Sequence, residues 1–456
     1  MFDKFLKKEK QVQKNEKLNI KALSGVLELK PSEQIEFNKM KKRISDTFEK
    51  FGFIPLDVAT IERENVLLAK AGGDTEKEIY RIKKGDKDLA LRFDLTVPLA
   101  RYVAANYNDI TFPFKRYQIG KIFRGERPQK GRFREFYQCD IDILGDGKLS
   151  IKNDAEIPSV IYSIFSKLNI GPFQILINNR KILTGLVSEL NLSDKTSEVL
   201  RIIDKLKKIG EEKVSELLIG ENISKEKTKQ ILHFVNFEGT NIEKIKFLKK
   251  QEISNEVYLE GLEELETVSR YVKLFGIPDD YYKIDFSITR GLDYYTGTVY
   301  ETFLIDYPEL GSICSGGRYD NLTEFYSNRK MPGVGISIGL SRLFSQLRDK
   351  GFFENKSNSV SDLMIIPLID DLEKPIELAT KFRRKGIKVE IFLEEQSIKK
   401  KFSYADKKGL EFVLIIGEDE IKSGKYTLKN MKSGEQKILS EEEIIPLLLS
   451  LKRKNI

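Results

Sequence analysis

The sequence predicts an α+β protein of two or three domains: a strand-rich first part with an inserted helical module, then a small α/β domain. Three observations predict it. Residues 112 to 145 alternate in polarity with the two-residue period of a strand pair. From about Lys181 to Gln251 the chain turns rich in Lys, Glu, Ile and Leu and poor in Gly and Pro, with helical spacing. Beyond a polar stretch from Lys350 to Asp362, short apolar runs alternate with helical patterns. A length of 456 residues allows each part its own core.

The elements follow in order. Residues 1 to 20 are Lys-rich and expected to form a loosely ordered extension; without an apolar h-region they do not read as a secretory signal. Phe37, Met40, Ile44, Phe48 and Phe51 recur at three- and four-residue steps, the stripe of an amphipathic helix over about Gln34 to Phe51. A short strand is expected at Ala90 to Phe93, and strand parity would put Asp94 and Thr96 on one side. In the second arm of the long hairpin, Arg134, Phe136, Gln138, Asp140 and Asp142 share one parity, and Tyr137, Cys139, Ile141 and Ile143 the other. A solvated outer face is the ordinary cause of such alternation. It explains poorly a face that mixes acids, Gln and Phe beside a loop carrying Arg127, Lys130 and Arg132; an anionic ligand explains both. After the helical module, strands are expected at Lys283 to Ile288, Thr296 to Phe303 and Gly333 to Ile338. A helix then follows, striped by Leu340, Leu343, Phe344 and Leu347. The last part reads LMIIPL, a helix near Leu372 to Lys385, IKVEIFL, a helix near Glu395 to Lys407, EFVLIIG, a strand-rich stretch, and a final helix from about Glu441 to Leu451.

Composition removes several functions. With 40% hydrophobic and 32% charged residues the chain is an ordinary globular one, and its net charge of +8 suits a polyanion without requiring one. Cys139 and Cys314 are far apart with no CxxC pair, which fits a reducing compartment and a cytoplasmic location. No apolar run approaches ~20 residues, so no membrane span is expected. The only histidine is His233, in a Lys- and Glu-rich helical stretch, where a surface or packing role is the ordinary one. Serine–histidine hydrolases and histidine-ligated zinc enzymes are thereby disfavoured.

Four clusters mix glycine, arginine, acid and aromatic residues: LRFDLTVPLARYVA, the hairpin, TRGLDYYTGTVYE with CSGGRYDNL, and PGVGISIGLSRL. Arg342 falls in the first turn of its helix, where the macrodipole disfavours a cation by up to ~1 kcal/mol; a triphosphate would reverse the sign. Glycine strands let a flat ligand approach the backbone. Gly333, Gly335 and Gly339 lack the Rossmann spacing, and there is no GxxxxGK[ST]. Gly291, Gly316 and Gly317 read equally well as turn or bulge glycines, and Tyr294 and Tyr295 as half-buried packing residues. Together the clusters describe a pocket with three phosphate-competent arginines (Arg124, Arg290, Arg342), two acids (Asp94, Asp142) and a floor of small residues.

FRGERPQKGRFREFYQCDIDILG resembles motif 2 of the class II aminoacyl-tRNA synthetases, and PGVGISIGLSRL resembles motif 3. RGLDYYTGTVYE and CSGGRYDNL resemble the two histidine-specific signatures of histidyl-tRNA synthetases. VLIIGEDEI, TLKNM and SGEQ resemble the anticodon-binding domain of that family. The resemblance spans roughly residues 20 to 450. It implies a class II synthetase-like catalytic domain over 21–349, an antiparallel sheet flanked by helices with a helical insertion at about 181–255. A linker at 350–361 and a C-terminal α/β anticodon-binding domain at 362–456 would follow. The implied reaction joins L-histidine to ATP as histidyl-adenylate and passes the histidyl group to the 3′ end of tRNA(His). ATP is a substrate and Mg²⁺ accompanies it; the implied assembly is a homodimer, with no DNA or membrane partner.

Carried over by motif position, Asp94, Thr96 and Gln138 hold the α-ammonium of histidine, and Asp142 and Tyr295, with Tyr294 beside it, bracket the imidazole. An acid and a phenol suit a ring with one donor and one acceptor. Arg124 and Arg290 contact the α-phosphate and the substrate carboxylate, with Gln138 the remaining catalytic position. Phe136 stacks on adenine, and Arg132 and Arg342 clamp the outer phosphates. The chain departs from the family pattern at Ala59, where a proline is expected, with Pro55 four positions earlier; at SGVLELKP, where KGTRD precedes a proline; and at Ser341, where an acid is common. One alternative is an inactive synthetase-like regulatory or sensor protein, but such chains lose the arginines, the RGLDYY signature or the tail, all of which are kept. A proline or threonine synthetase is the other, and Asp142 with the tyrosine pair argues against it.

Overall fold

The computed structural model describes residues 19–69, 74–127, 131–289, 294–353 and 358–454. The expected N-terminal extension falls almost wholly outside that set. The main sheet is built from β1 (Ile54–Pro55), β2 (Phe114–Phe123), β3 (Glu135–Leu144), β4 (Phe173–Asn179), β5 (Tyr282–Ile284), β6 (Thr298–Leu304), β7 (Cys314–Tyr319) and β8 (Gly333–Ile338). Their order is β1-β2-β3-β8-β7-β6-β4-β5. Pairing is antiparallel throughout the centre. Only the two edges are parallel, β1 on β2 and β5 on β4. The sheet is therefore mixed at its margins, and each parallel partner is reached by the long crossover such pairing requires.

Six helices frame it: α1 (Pro31–Lys50), α2 (Thr96–Ala105), α3 (Lys152–Leu168), α4 (Arg180–Glu189), α5 (Glu256–Leu274) and α6 (Leu340–Asp349). α1 starts on a proline, and Glu33 accepts a hydrogen bond from the Lys30 N–H at 2.8 Å, satisfying a donor at the helix entrance. Its Phe37, Met40, Ile44 and Phe48 join Cys139, Ile141 and Ile143 of β3 and Ile157 and Ile161 of α3 in one core. Phe344 of α6 meets Phe37 edge-on at 5.3 Å. One face of the sheet is thus closed by helices. Arg318 of β7 reaches through to Asp154 of α3 with a bidentate pair of 3.0 and 2.6 Å.

From α4 to α5 the chain runs through short helices whose Val199, Ile203, Val214 and Leu218 extend the same core. His233 is exposed on the helix Lys225–Val235. A small sheet of Ile61–Arg63, Arg81–Lys84 and Lys87–Leu91 precedes α2, and the strand expected at Ala90 to Phe93 ends here, at Leu91.

The second sheet consists of β9 (Leu363–Pro367), β10 (Val389–Ile391), β11 (Phe412–Ile416), β12 (Lys425–Asn430) and β13 (Gln436–Ser440), ordered β10-β9-β11-β12-β13. β9 is buried along its length and parallel to both neighbours. Leu363 and Ile365 pack with Leu378 and Phe382, whereas Met364 and Ile366 pack with Phe392 and Ala405. Helices cover both faces, which is why this run is continuously apolar rather than alternating.

Candidate active site

The open face of the main sheet floors a cleft of ≈ 640 Å³, within the size range of small-molecule sites. Phe136, Gln138, Asp140 and Asp142 all face it from β3, because alternate strand residues share a side. Asp94, Thr96, Tyr294 and Tyr295 line it as well, as do Arg124, Arg132 and Arg342. Arg290 lies outside the described residues. Every other site residue that the sequence nominated therefore borders one cavity.

One part of the cleft is acidic and phenolic. Asp94 Oδ1 accepts from the Val97 N–H at 3.0 Å, and Thr96 is the first residue of α2. Their expected pairing by strand parity is thus corrected. The strand has ended, and the aspartate meets a free N–H of the helix start, which brings both side chains to the cleft. Burial pushes Asp94 up to about 6, against its bonds to backbone N–H groups and the charge of Arg124. Burial likewise pushes Asp140 up to about 7, although Arg116 pulls it down. Asp142 is raised by burial and pulled back by Arg116 and Tyr319. The Tyr294 and Tyr295 rings meet edge-on at 4.9 Å. Gly317 backs Tyr295 closely: a Cβ there would lie 3.0 Å from Tyr295 Cδ1 and 2.6 Å from the Thr298 carbonyl. Gly316 and Gly317 are mid-strand residues of β7, so the turn or bulge reading of them is also corrected.

The other part is cationic. Arg124 follows β2; its Nε donates to the Phe93 carbonyl at 3.1 Å, and its guanidinium stands 5.4 Å from the Phe136 ring centre. Arg132 pairs with Glu126 at 3.2 Å. Arg342, third residue of α6, donates from Nη2 to the Leu310 carbonyl at 2.7 Å. Burial and then the nearby Arg132 lower its pKa. Two like charges at a helix N-terminus are mutually unfavourable and favour an anion between them. Gln138 Oε1, Asp94 Oδ2, Asp140 Oδ1 and Arg342 Nε are buried and make no hydrogen bond among the described residues. Buried polar atoms are normally paired, so these are the contacts a ligand would complete.

Sequence reasoning assigned no role to Arg116, Asp140 or Tyr319. Asp140 shares the parity of Gln138 and Asp142, which was enough to place it in the cleft. Arg116 needed the hairpin register, which puts it opposite Asp142; Tyr319 needed the β7–β8 pairing. Ser341, at the family position where an acid is common, accepts from the Tyr137 N–H at 2.9 Å. A second cavity of ≈ 450 Å³ lies beside the helical module, but its Lys273 and Lys283 already pair with Asp279 and Glu238.

The family model of histidyl-tRNA synthetase matches residues 25–343, well over half of the chain. The chain belongs to the histidyl-tRNA synthetase family. A model of the anticodon binding domain matches residues 362–451, the segment that forms the second sheet. Among curated relatives of this synthetase family, the chain is 56% identical over 427 residues to a histidine–tRNA ligase of Clostridium tetani, covering 93% of this chain and 97% of the relative. It is 48% identical over 434 residues to that of Clostridium acetobutylicum, covering 94% and 100%. Among solved structures, the histidyl-tRNA synthetase of Nostoc sp. PCC 7120 superposes with a TM-score of 0.88 at 41% identity, over 96% of this chain and 100% of that one. The mixed sheet flanked by helices, with its separate C-terminal sheet, is the architecture of this synthetase family.

Proposed function

We propose that the cleft activates L-histidine with ATP and that the C-terminal part brings tRNA(His) to it. The chain acts as a ligase: histidine and ATP give histidyl-adenylate and pyrophosphate, then the histidyl group passes to the tRNA 3′ end. The observation that carries the site assignment is the two-part cleft, with acid, amide and phenol groups in one region and paired arginines in the other. An amino acid with a cationic ammonium and a polar ring suits the first, and a triphosphate suits the second.

On this reading Asp94, Thr96 and Gln138 take the three N–H bonds of the α-ammonium. Asp142 accepts from the imidazole N–H, the Tyr295 hydroxyl donates to the other ring nitrogen, and Tyr294 packs behind it. Phe136 stacks on adenine, with Arg124 above the junction. The substrate carboxylate attacks the α-phosphorus; an O–P bond forms, the bond to the β-phosphate oxygen breaks, and pyrophosphate leaves. Arg124 and Arg290 meet the charge that builds on the α-phosphate, and Arg132 and Arg342 hold the departing phosphates. Mg²⁺ belongs to the ATP substrate. It takes oxygen donors, and Glu126, paired with Arg132, and Glu301 are carboxylates that line the cleft.

The domain limits 21–349 and 362–456, with a helical insertion at about 181–255 and a linker at 350–361, are part of this reading, as is a cytoplasmic setting. No described helix is long and apolar enough to cross a membrane. A homodimer is part of this reading; β1, with Ile54 exposed at 53%, is a free edge of the main sheet. Ala59 lies on that side without the family's proline. A charging assay tests the function: purified chain with ATP and Mg²⁺ forms histidyl-tRNA(His) and discriminates against proline and threonine. Charging with another amino acid, or none from folded protein, overturns it.

A further inference from the structure

Arg116 has no exposed surface, it does not line the cleft, and no motif assigns it. Its Nη2 lies 2.5 Å from Asp142 Oδ2 and donates to the Leu95 carbonyl at 3.2 Å. The other oxygen, Asp142 Oδ1, accepts from the Tyr319 hydroxyl at 2.6 Å. Asp142 Oδ1 thus carries a hydrogen bond, while Oδ2 meets Arg116 as an ion pair and accepts no hydrogen bond among the described residues; a carboxylate has about four lone-pair sites, so acceptor capacity remains. A buried ion pair is a poor way to gain stability, since apolar residues of similar volume often do as well. This pair is therefore better explained by what Asp142 must do than by what it adds to the fold.

The glycines of β8 fit the same account. Gly335 stands opposite Asp142 in the β3–β8 register, and a Cβ on it would run into Asp142 Oδ1 and lie 2.8 Å from its Cγ. A Cβ on Gly333 would lie 2.5 Å from Tyr319 Cε2. From sequence these glycines read as room for a flat ligand. The structure gives that room to two protein side chains, Asp142 and Tyr319, laid across the strand.

We propose that Arg116, with Tyr319, is a positioning residue for histidine selectivity: the two fix the Asp142 carboxylate, charged and in one orientation, as acceptor for the imidazole N–H. This rests on the reading of Asp142 as an imidazole ligand, and the variants separate the two ideas. Pyrophosphate exchange is measured for Arg116→Met, Arg116→Lys, Tyr319→Phe, Asp142→Asn and the double variant Arg116→Met/Asp142→Asn, with KM taken separately for histidine and ATP. Arg116→Met should raise the histidine KM at least tenfold with the ATP KM within twofold, and Arg116→Lys should recover part of the loss. The double variant should be no worse than Asp142→Asn, because Arg116 acts through that carboxylate. Where Arg116→Met does not fold, Tyr319→Phe carries the test: it removes one hydroxyl and should raise the histidine KM alone. If Asp142→Asn weakens histidine while Arg116→Met (or, in its place, Tyr319→Phe) does not, or if the single effects multiply in the double variant, the positioning role is wrong. An unchanged histidine KM in Asp142→Asn would sink the imidazole reading itself, and the proposal with it.

Discussion

Asp94, Asp140 and Asp142 are each 3% exposed and feel one another's charge, a burden on the fold that Arg116 and Arg124 offset only in part. The pH dependence follows from the sign of the shifts. Asp94 and Asp140 are raised to about 6 and about 7, so between pH ~4 and ~7 the folded state binds more protons than the unfolded one. Their contribution is present below the unfolded pKa and is lost as pH rises through the folded values. In urea titrations the ligand-free wild type should lose stability from pH 5.5 to 7.5 and Asp140→Asn should flatten that loss; equal slopes would contradict the shift. Arg124 makes a second residue-scale prediction. Arg124→Ala should slow adenylate formation by about 10²–10³, the usual effect of removing one aimed donor from a site of developing charge, with little change in melting temperature. A loss under tenfold would refute its place at the α-phosphate. Side-chain type and motif position were enough to nominate Asp94, Asp142 and Arg124, but not Asp140. What remained hidden at this scale was pairing over distance, such as Arg116 with Asp142, because both partners lie in a sequence that reads equally well without the contact.

At the scale of elements, β3 was readable because one face is core and the other is site, so period-two alternation survives intact. β2 was harder to read. Its buried parity carries Arg116 and Gln118, a polar pair beneath the cleft that inverts the usual rule of apolar inside. The start of α2 was misread for a local reason: LRFDLT has strand-like composition, but the strand stops at Leu91 and Asp94 accepts from the Val97 N–H at the entrance of α2. β8 invites a prediction. Gly335→Ala must displace Asp142 or the Ile141 carbonyl, at a cost in stability of about 1–3 kcal/mol typical of overpacking. Histidine activation should fall more than stability does. A variant with normal activation would show that Asp142 has room to spare.

For the whole molecule, the buried cores divide as the two sheets do. The cluster around Phe37, Ile141 and Ile161 is separate from that around Leu363, Phe382 and Leu414. A chain cut in the 350–361 segment should keep amino-acid activation and lose most tRNA charging; loss of both would show that the parts depend on each other. The division was visible in the sequence as a change from mixed strands to alternating apolar runs and helices. The parallel edges of the main sheet were not, because two- and three-residue strands leave too short a pattern to read. The central claim is that this cleft joins histidine to the α-phosphate of ATP. Its most direct test is exchange of labelled pyrophosphate into ATP by the folded chain in the absence of tRNA. The account predicts exchange that requires histidine and is not supported by proline or threonine; folded protein that gives no histidine-dependent exchange would contradict it.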